Sequence, residues 1–405
     1  MKRVAVIGGG ASGLMAACFA AGGGNEVVIF EKQKKIGRKV LVSGNGRCNI
    51  TNRNISVEKY HGGNTRFVHN LFARFGLDET IEFFASIGLP LVEEQNGKLF
   101  PASLQSATVV RLLEYELVRR GVDIRTHRKI ELIERAGTGF KVTTAGHEDE
   151  LFDSVILAAG SCAYSPAGGS RDGYDLAGQL SHTVHEPFPA ILPVTVPLKI
   201  VHRLQGIKWD CAVSVKHRGS VIASSEGELL FTAYGISGPA TLDVSRAVNE
   251  ILVRKSTPEI IIDLYPSYGD RELLDLLESL WADKAKSVSF SLIGIMKNPM
   301  PDVLCRIAGI DPEKPVGRLS SEEKMKIAAI LKNLNIEPGK PRGFNEAVVA
   351  AGGVDVDEID PTTMESRLAR GLFITGELLD IDGESGGYNL QFAWSTGAVA
   401  GMAQH

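Results

Sequence analysis

Gly8, Gly10 and Gly13 stand in the order G-x-G-x-x-G, within Gly8-Gly9-Gly10-Ala11-Ser12-Gly13, and a carboxylate, Glu31, follows 23 positions after Gly8. Each has a task if the ligand is a dinucleotide. Gly8 permits a tight turn, Gly10 lets the backbone approach a pyrophosphate, and Gly13 lets a helix lie close to the preceding strand. A helix opening at Ala11 and Ser12 turns free N–H groups and the positive end of its dipole toward the phosphates. Glu31 is placed to accept hydrogen bonds from the 2′- and 3′-hydroxyls of an adenosine ribose. Its charge would repel a 2′-phosphate, which argues against NADP in this site.

The elements around these residues make the motif specific. Arg3–Ile7 (RVAVI) reads as a short buried strand, Ala11–Ala21 as a helix of small residues, Gly22-Gly23-Gly24-Asn25 as a turn and Glu26–Phe30 (EVVIF) as a second strand. A strand, the glycines, a helix, a strand and a terminal acid together are far more selective than the glycines alone. The uncharged run Val4–Gly24 behind Lys2 and Arg3 resembles a targeting peptide, but it holds seven glycines, a density that an apolar targeting helix rarely tolerates. No other stretch has 18 consecutive apolar residues, so a soluble, cytoplasmic protein is expected. Glycine numbers 44 in 405 residues, about 11% against ~7% expected, which suggests many tight turns or close backbone–ligand approaches. The cysteines Cys18, Cys48, Cys162, Cys211 and Cys305 are odd in number and contain no CxxC pair. They argue against a disulfide framework or a metal site and for a reduced compartment. The net charge of −4 argues against a nucleic-acid partner, although a local basic patch is compatible with it.

After Glu31 a simple NAD domain would proceed to a further βαβ crossover. The chain instead runs through Lys32, Arg38 and Lys39 to Ser43-Gly44-Asn45-Gly46-Arg47-Cys48-Asn49. Such a loop could follow an extended cofactor, or could be a polar surface loop. Ser103–Arg120 reads as an amphipathic helix capped by Ser103 and ended by Gly121. Val122–His127 reads as a strand, Lys129–Phe152 as a meander, and Val155–Ala159 as a buried strand ending at Gly160. Prolines at 187, 189, 193 and 197 mark a crossing into a second domain. There Trp209, Cys211, Val213 and Val215 alternate with Asp210, Ala212, Ser214 and Lys216, and Ile260–Leu264 follows as a further strand. Residues 270–335 read as helices, with a capping box at Ser320 and Glu323. Gly371–Gly376 returns as a strand ending in Gly-Glu, followed by a Gly-rich loop and a helix at Leu390–Ala403. The expected architecture is α/β (α+β overall): a discontinuous Rossmann-like domain (1–190 and 345–405), an inserted β-rich substrate domain (191–269 and 336–344) and a small helical subdomain (270–335).

The segment G-R-K-x-x-x-S-G-x-G-R-C-N-x-T-N at Gly37–Asn52 resembles the signature of the HI0933-like (YhiN/BaiN-type) flavoprotein family. The resemblance continues at Phe231–Pro239 (FTAYGISGP), at Gly371–Glu377 (GLFITGE) and through Asp380, Asp382 and Gly386–Gln391 to Ala393–Gly397 (AWSTG). Ala233 departs from a family pattern with His at that place, so no role of that His is carried over. The resemblance implies an FAD-dependent oxidoreductase of the two-dinucleotide-binding-domain superfamily. On that reading the FAD contacts are Gly8, Gly10, Ala11, Ser12, Gly13, Glu31, Lys32, Arg38, Lys39, Ser43, Gly44, Arg47, Cys48, Asn49, Ala159, Gly160, Gly376, Glu377, Gly387, Asn389 and Leu390. Glu377 stands where many FAD enzymes carry an Asp that binds ribityl hydroxyls.

Flavin N5 would carry the hydride, with the protein supplying orientation and electrostatics. Arg47 is a candidate for stabilising reduced flavin or holding a substrate carbonyl, and Tyr388 for donating a proton; a structural role is open for both. There is no second G-x-G-x-x-G and no partner for Cys48 in a disulfide relay, so NAD(P)H would enter the substrate cavity directly as a transient donor. The resemblance implies reduction of an activated C=C of a small molecule, or O2-dependent oxidation of a small amine or amino-ketone. A non-catalytic redox sensor or assembly partner is the alternative from another class. Flavin-dependent tRNA modification shares the glycine-rich start but is disfavoured by the acidic balance. No metal and no membrane partner are expected.

Overall fold

The strand β1 (Arg3–Ile7) is apolar without alternation because both of its faces are covered: Val4, Ala5 and Val6 are fully buried. The computed structural model describes residues 1–405. They divide into two compact units, Met1–Phe188 with Ala347–His405, and Pro189–Glu346. In the first unit β1 leads to α1 (Ala11–Gly22), β2 (Glu26–Glu31) and the short α2 (Arg38–Val42). Further on come α3 (Ser106–Arg119), β3 (Asp123–Thr126), β4 (Ser154–Leu157) and α4 (Asp172–Gln179), and the C-terminal stretch supplies β5 (Leu372–Ile374) and α5 (Tyr388–Met402). The central sheet is parallel throughout, in the order β5-β4-β1-β2-β3. Because the strands are parallel, the turns after β1, β4 and β5 all open at the same edge.

The helices α1 and α5 explain their own composition. Both are apolar and small on nearly every side, as helices buried all round must be. Their axes come so close that a Cβ on Gly397 would lie 2.2 Å from Ser12 O, and one on Gly401 2.4 Å from Ala16 O. At the buried foot of α5, Gln391 donates to Gly76 O, Thr80 Oγ1 and Ser395 Oγ at 2.8–3.0 Å and accepts from Thr51 Oγ1. Trp394 Nε1 donates to Ile50 O at 3.0 Å. All of these bonds except the one to Ser395, which lies within α5, tie this helix to residues more than 300 positions away.

Two expected boundaries shift. The helix α3 starts at Ser106, not Ser103, whose hydroxyl donates to Thr108 Oγ1 instead of capping the helix. The helix α5 starts at Tyr388, two residues before the expected Leu390, because Gly387 adopts φ +104° and turns the chain directly into it.

The second unit is built on a six-stranded antiparallel sheet. Its order is Val194–Thr195, Gly235–Ser237, Ser220–Thr232, Lys208–His217, Glu259–Asp263 and Leu334–Ile336. Cys211, Val213 and Val215 point into its core as their alternation predicts. A helix at Pro239–Val253 was not expected from sequence; proline opens its first turn, and Ala240, Val244, Val248 and Ile251 form its buried stripe. The helices at Asp270–Leu280, Met300–Ile307 and Ser321–Lys332 lay Leu273, Leu277, Val303, Leu304 and Leu331 on the same core as Val213 and Ile262. Sheet and helices thus share one interior. The expected capping box is present: Ser320 Oγ accepts from Glu323 N–H at 3.1 Å, and the Glu323 carboxylate accepts from Ser320 N–H at 2.8 Å.

Gly397→Ala must push α5 off α1, since its methyl would enter main chain rather than a flexible side chain. A loss of about 2–3 kcal/mol is expected from overpacking. Gly178→Ala, on the exposed face of α4 with open space around it, should be neutral or gain up to ~1 kcal/mol. Urea unfolding midpoints of the two variants check the contrast, and equal midpoints would refute the close-packing account.

Candidate cofactor site

The turn from β1 into α1 carries three glycines with different reasons for lacking a side chain. Gly8 has φ +110°, and a Cβ there would lie 2.3 Å from Ala158 O at the end of β4; a Cβ on Gly13 would lie 2.0 Å from Gly8 O. Both positions are required by the packing of the chain on itself. Gly10 is different, because a Cβ there would meet nothing within 4 Å. No side chain caps α1, so its first N–H groups have no side-chain acceptor, and Gly10 leaves open space at that end for a phosphate. Beside this turn, the Glu31 carboxylate accepts from Gly9 N–H at 2.8 Å and Gln33 N–H at 2.7 Å. Each oxygen keeps a further lone pair for a ligand hydroxyl.

The basic residues beyond β2 hold other parts of the chain. Lys32 pairs with Asp172 at 2.7 Å and also donates to Ser170. Arg38 donates to Gln33 and to Pro166 O at 2.9 Å. Lys39 pairs with Glu377 at 2.5 Å. Their side chains are engaged within the chain, and they strap residues 166–172 and the turn after β5 to the segment that runs from Lys32 into α2. After β4, Ala159 leads to Gly160 (φ +71°), which again faces open space.

The loop after α2 runs to the head of α5. Ser43 Oγ donates to Val40 O at 2.7 Å, and Gly44 and Cys48 both take left-handed φ. Cys48 is fully buried, and burial pushes its thiol up to about 12, so it stays protonated. Asn49 presents Oδ1 as a buried acceptor with no partner, 3.0 Å from where a Cβ on Gly387 would stand. Asn389 closes its own loop, accepting from Gly383 N–H at 2.8 Å and donating to Gly383 O at 2.7 Å. Leu390 lies in the first turn of α5. Tyr388 is 5% exposed and packs edge-on against Tyr60. Arg47 pairs with Glu94 and stacks on Phe100 at 4.3 Å, so its charge is already matched.

Several residues without a sequence assignment belong here. Ser161 Oγ donates to Glu377 at 3.1 Å, and Thr396 Oγ1 accepts from Gly376 N–H at 3.0 Å. Both lie next to recognised positions, Gly160 and Gly397, and adjacency was the available signal. Burial, then Cys162 and Glu377, push the Tyr174 phenol far up, so it is neutral. His182 lies outside this group: its ring bridges Glu358 and Ser366 at 2.8 Å each. Ala233 sits in an exposed turn of the second unit. No three His, Cys, Asp or Glu side chains are grouped to hold a metal, and no helix is long and apolar enough to cross a membrane.

Open space over Gly10 and the orphaned Asn49 acceptor are features a bound FAD would satisfy, with the glycine turn and Glu31 at its adenosine end and the loop at Asn49 at its ring end. The family described as HI0933-like protein Rossmann domain matches residues 2–403. A 3-dehydro-bile acid delta(4,6)-reductase of Clostridium scindens is 36% identical, covering 100% of this chain and 99% of the relative. A ribosomal RNA dihydrouridine synthase of Haemophilus influenzae is 29% identical, covering 98% and 97%. The solved structure of the 3-ketosteroid delta1-dehydrogenase of Sterolibacterium denitrificans with 1,4-androstadiene-3,17-dione shares the fold, with a TM-score of 0.50, 13% identity and 99% coverage of each chain.

The ion pairs that Asp172 makes with Lys32 and Lys129 should loosen in acid. Burial alone would raise the Asp172 carboxyl, but Lys32, Ser170 and Lys129 outweigh it and hold it well below the usual range. A depressed carboxyl adds stability that is complete above its unfolded value of ~3.9 and is lost as pH falls through the folded value. Asp172→Asn should therefore cost about 1 kcal/mol near pH 7, a modest figure because the pair is solvent-screened, and the cost should shrink progressively as pH falls from ~4 toward 2. Denaturation of both proteins across that range checks this; a cost that does not shrink in acid would contradict it.

Proposed function

The chain belongs to the HI0933-like family and is an FAD-dependent oxidoreductase; within that class we propose that it reduces a C=C bond conjugated to a carbonyl, on a small organic substrate, with NAD(P)H as donor. The observation that carries this reading is the chemistry common to the two relatives. Reduction of a 3-oxo steroid at its delta(4,6) double bonds and reduction of uridine to dihydrouridine both add hydrogen across a C=C activated by conjugation to a carbonyl. The substrates differ greatly, so the shared step is what the common scaffold supports. Bound FAD supplies a two-electron hydride donor.

The chain's own residues hold and orient. The first turn of α1 and the turn at Gly8–Gly13 receive the pyrophosphate, and Glu31, fixed by two backbone N–H groups, receives the ribose. The turns at Ala159-Gly160 and Gly376-Glu377 line the middle of the cofactor's path. Asn49 Oδ1 is a preplaced acceptor for a ring N–H, and the head of α5 at Gly387 offers its positive dipole end to developing negative charge. We assign Arg47 and Cys48 to shaping the loop, since one is neutralised by Glu94 and the other is a buried, protonated thiol. Tyr388 stays as the proposed proton donor.

The 36% relative favours a small enone. A second reading, a uridine ring in RNA, is favoured by the relative of Haemophilus influenzae, which matches over nearly the whole chain. Anaerobic mixing with NADH or NADPH should bleach the flavin, and a 3-oxo-delta(4) steroid should restore its colour with loss of the enone absorbance. Reoxidation by unmodified ribosomal RNA alone, with dihydrouridine formed, would assign the second reading instead. No bleaching by either nucleotide, with reduction by a small amine, would move the enzyme to the oxidases.

Glu31→Ala should weaken FAD binding by roughly ten- to a hundredfold or more, from lost hydrogen bonds to a charged acceptor worth ~1.5–3 kcal/mol each. Because Glu31 also holds Gly9 and Gln33, the apoprotein should lose some stability as well. Titration of apoprotein with FAD measures the first effect and thermal melting the second; unchanged affinity would remove Glu31 from the site.

A further inference from the structure

Lys39, Ser161 and Glu377 come from three distant stretches and meet at one oxygen. Lys39 Nζ lies 2.5 Å from Glu377 Oε2, and Ser161 Oγ donates to the same oxygen at 3.1 Å. Oε1 receives nothing from the chain beside these contacts. The carboxylate is 16% exposed, so it is largely buried yet reachable. Ser161 lies just beyond β4 and Glu377 just beyond β5, at the sheet edge where Gly8 turns. A glutamate here has one more rotatable bond than an aspartate, and a long acid beside a ligand path gains precision only if that torsion is restrained.

We propose that Lys39 is a positioning residue for FAD. With Ser161 it fixes one oxygen of Glu377, so that the other oxygen is presented to a hydroxyl of the ribityl chain. The inference rests on the FAD assignment and adds a device specific to this chain. Lys39 supplies a charge-assisted contact to a mostly buried carboxylate, and its length lets it reach across from α2. It acts only through Glu377, which fixes the pattern of its genetic interactions: once the carboxylate is gone, the lysine has nothing to position.

The experiment is titration of apoprotein with FAD for the wild type, Lys39→Met, Lys39→Arg, Ser161→Ala, Glu377→Ala and the Lys39→Met/Glu377→Ala double variant. Thermal melting of each apoprotein reports folding. Lys39→Met should weaken FAD about tenfold, Lys39→Arg should recover most of that, and Ser161→Ala should cost about two- to threefold. The double variant should match Glu377→Ala alone. Wild-type affinity in Lys39→Met, or losses that multiply in the double variant, would overturn the proposal while leaving FAD as the cofactor. Should Lys39→Met fail to fold, Lys39→Arg and Ser161→Ala decide: wild-type affinity in Ser161→Ala together with no binding by a folded Lys39→Arg would overturn it. A wild type that releases FMN, or no flavin, on denaturation would overturn the FAD assignment and this inference together.

Discussion

Main chain lies directly on main chain along one line through the first unit. The end of β4 touches Gly8, Gly8 touches Gly13 in α1, and the other side of α1 touches Gly397 and Gly401 in α5. No methyl group fits at any of these contacts. The spacing between sheet and helices is therefore set by backbone atoms, which do not change rotamer. That rigidity fixes the helix N-terminus over which Gly10 leaves room, and it fixes the head of α5 beside the Asn49 acceptor. A site made of N–H groups needs such support, because a shift of half an ångström would misdirect several donors at once.

Charge complements this framework where backbone contact ends. Lys32, Arg38 and Lys39 fan out from one short segment, and each catches a different piece of chain. Sequence inspection names them as cofactor contacts on the family resemblance and does not reveal these partners. Asp172, Pro166 and Glu377 lie more than a hundred positions from them and share no local pattern with them. Arg47 shows the same limit, since nothing near it in sequence announces Glu94.

The fold itself was far more legible than the site. Buried strands, the glycine turn and the acid at its end are local signals, as are the capping box at Ser320 and the alternation from Trp209. The helix at Pro239–Val253 was missed because its apolar stripe lies within a stretch of alternating strands. Gly397 and Thr396 lay within a recognised motif, yet their work depends on α1 and Gly376, which only the folded chain brings near. Residues whose role is intrinsic could be read; residues whose role is relational could not.

The parallel sheet draws β5 from residues 372–374 and β1 from residues 3–7. During synthesis β1, β2, β3 and β4 emerge long before β5, and the intervening second unit, with its own core, can fold in the meantime. Until β5 arrives, the outer edge of β4 offers unpaired backbone groups, and the groove on α1 lacks α5. Edges of this kind invite pairing with other chains. A chain stopped anywhere between the second unit and residue 372 would keep that edge permanently open. Cofactor capture thus waits on chain made well after the glycine turn, because that turn and the returning strand β5 lie on opposite sides of the second unit in sequence.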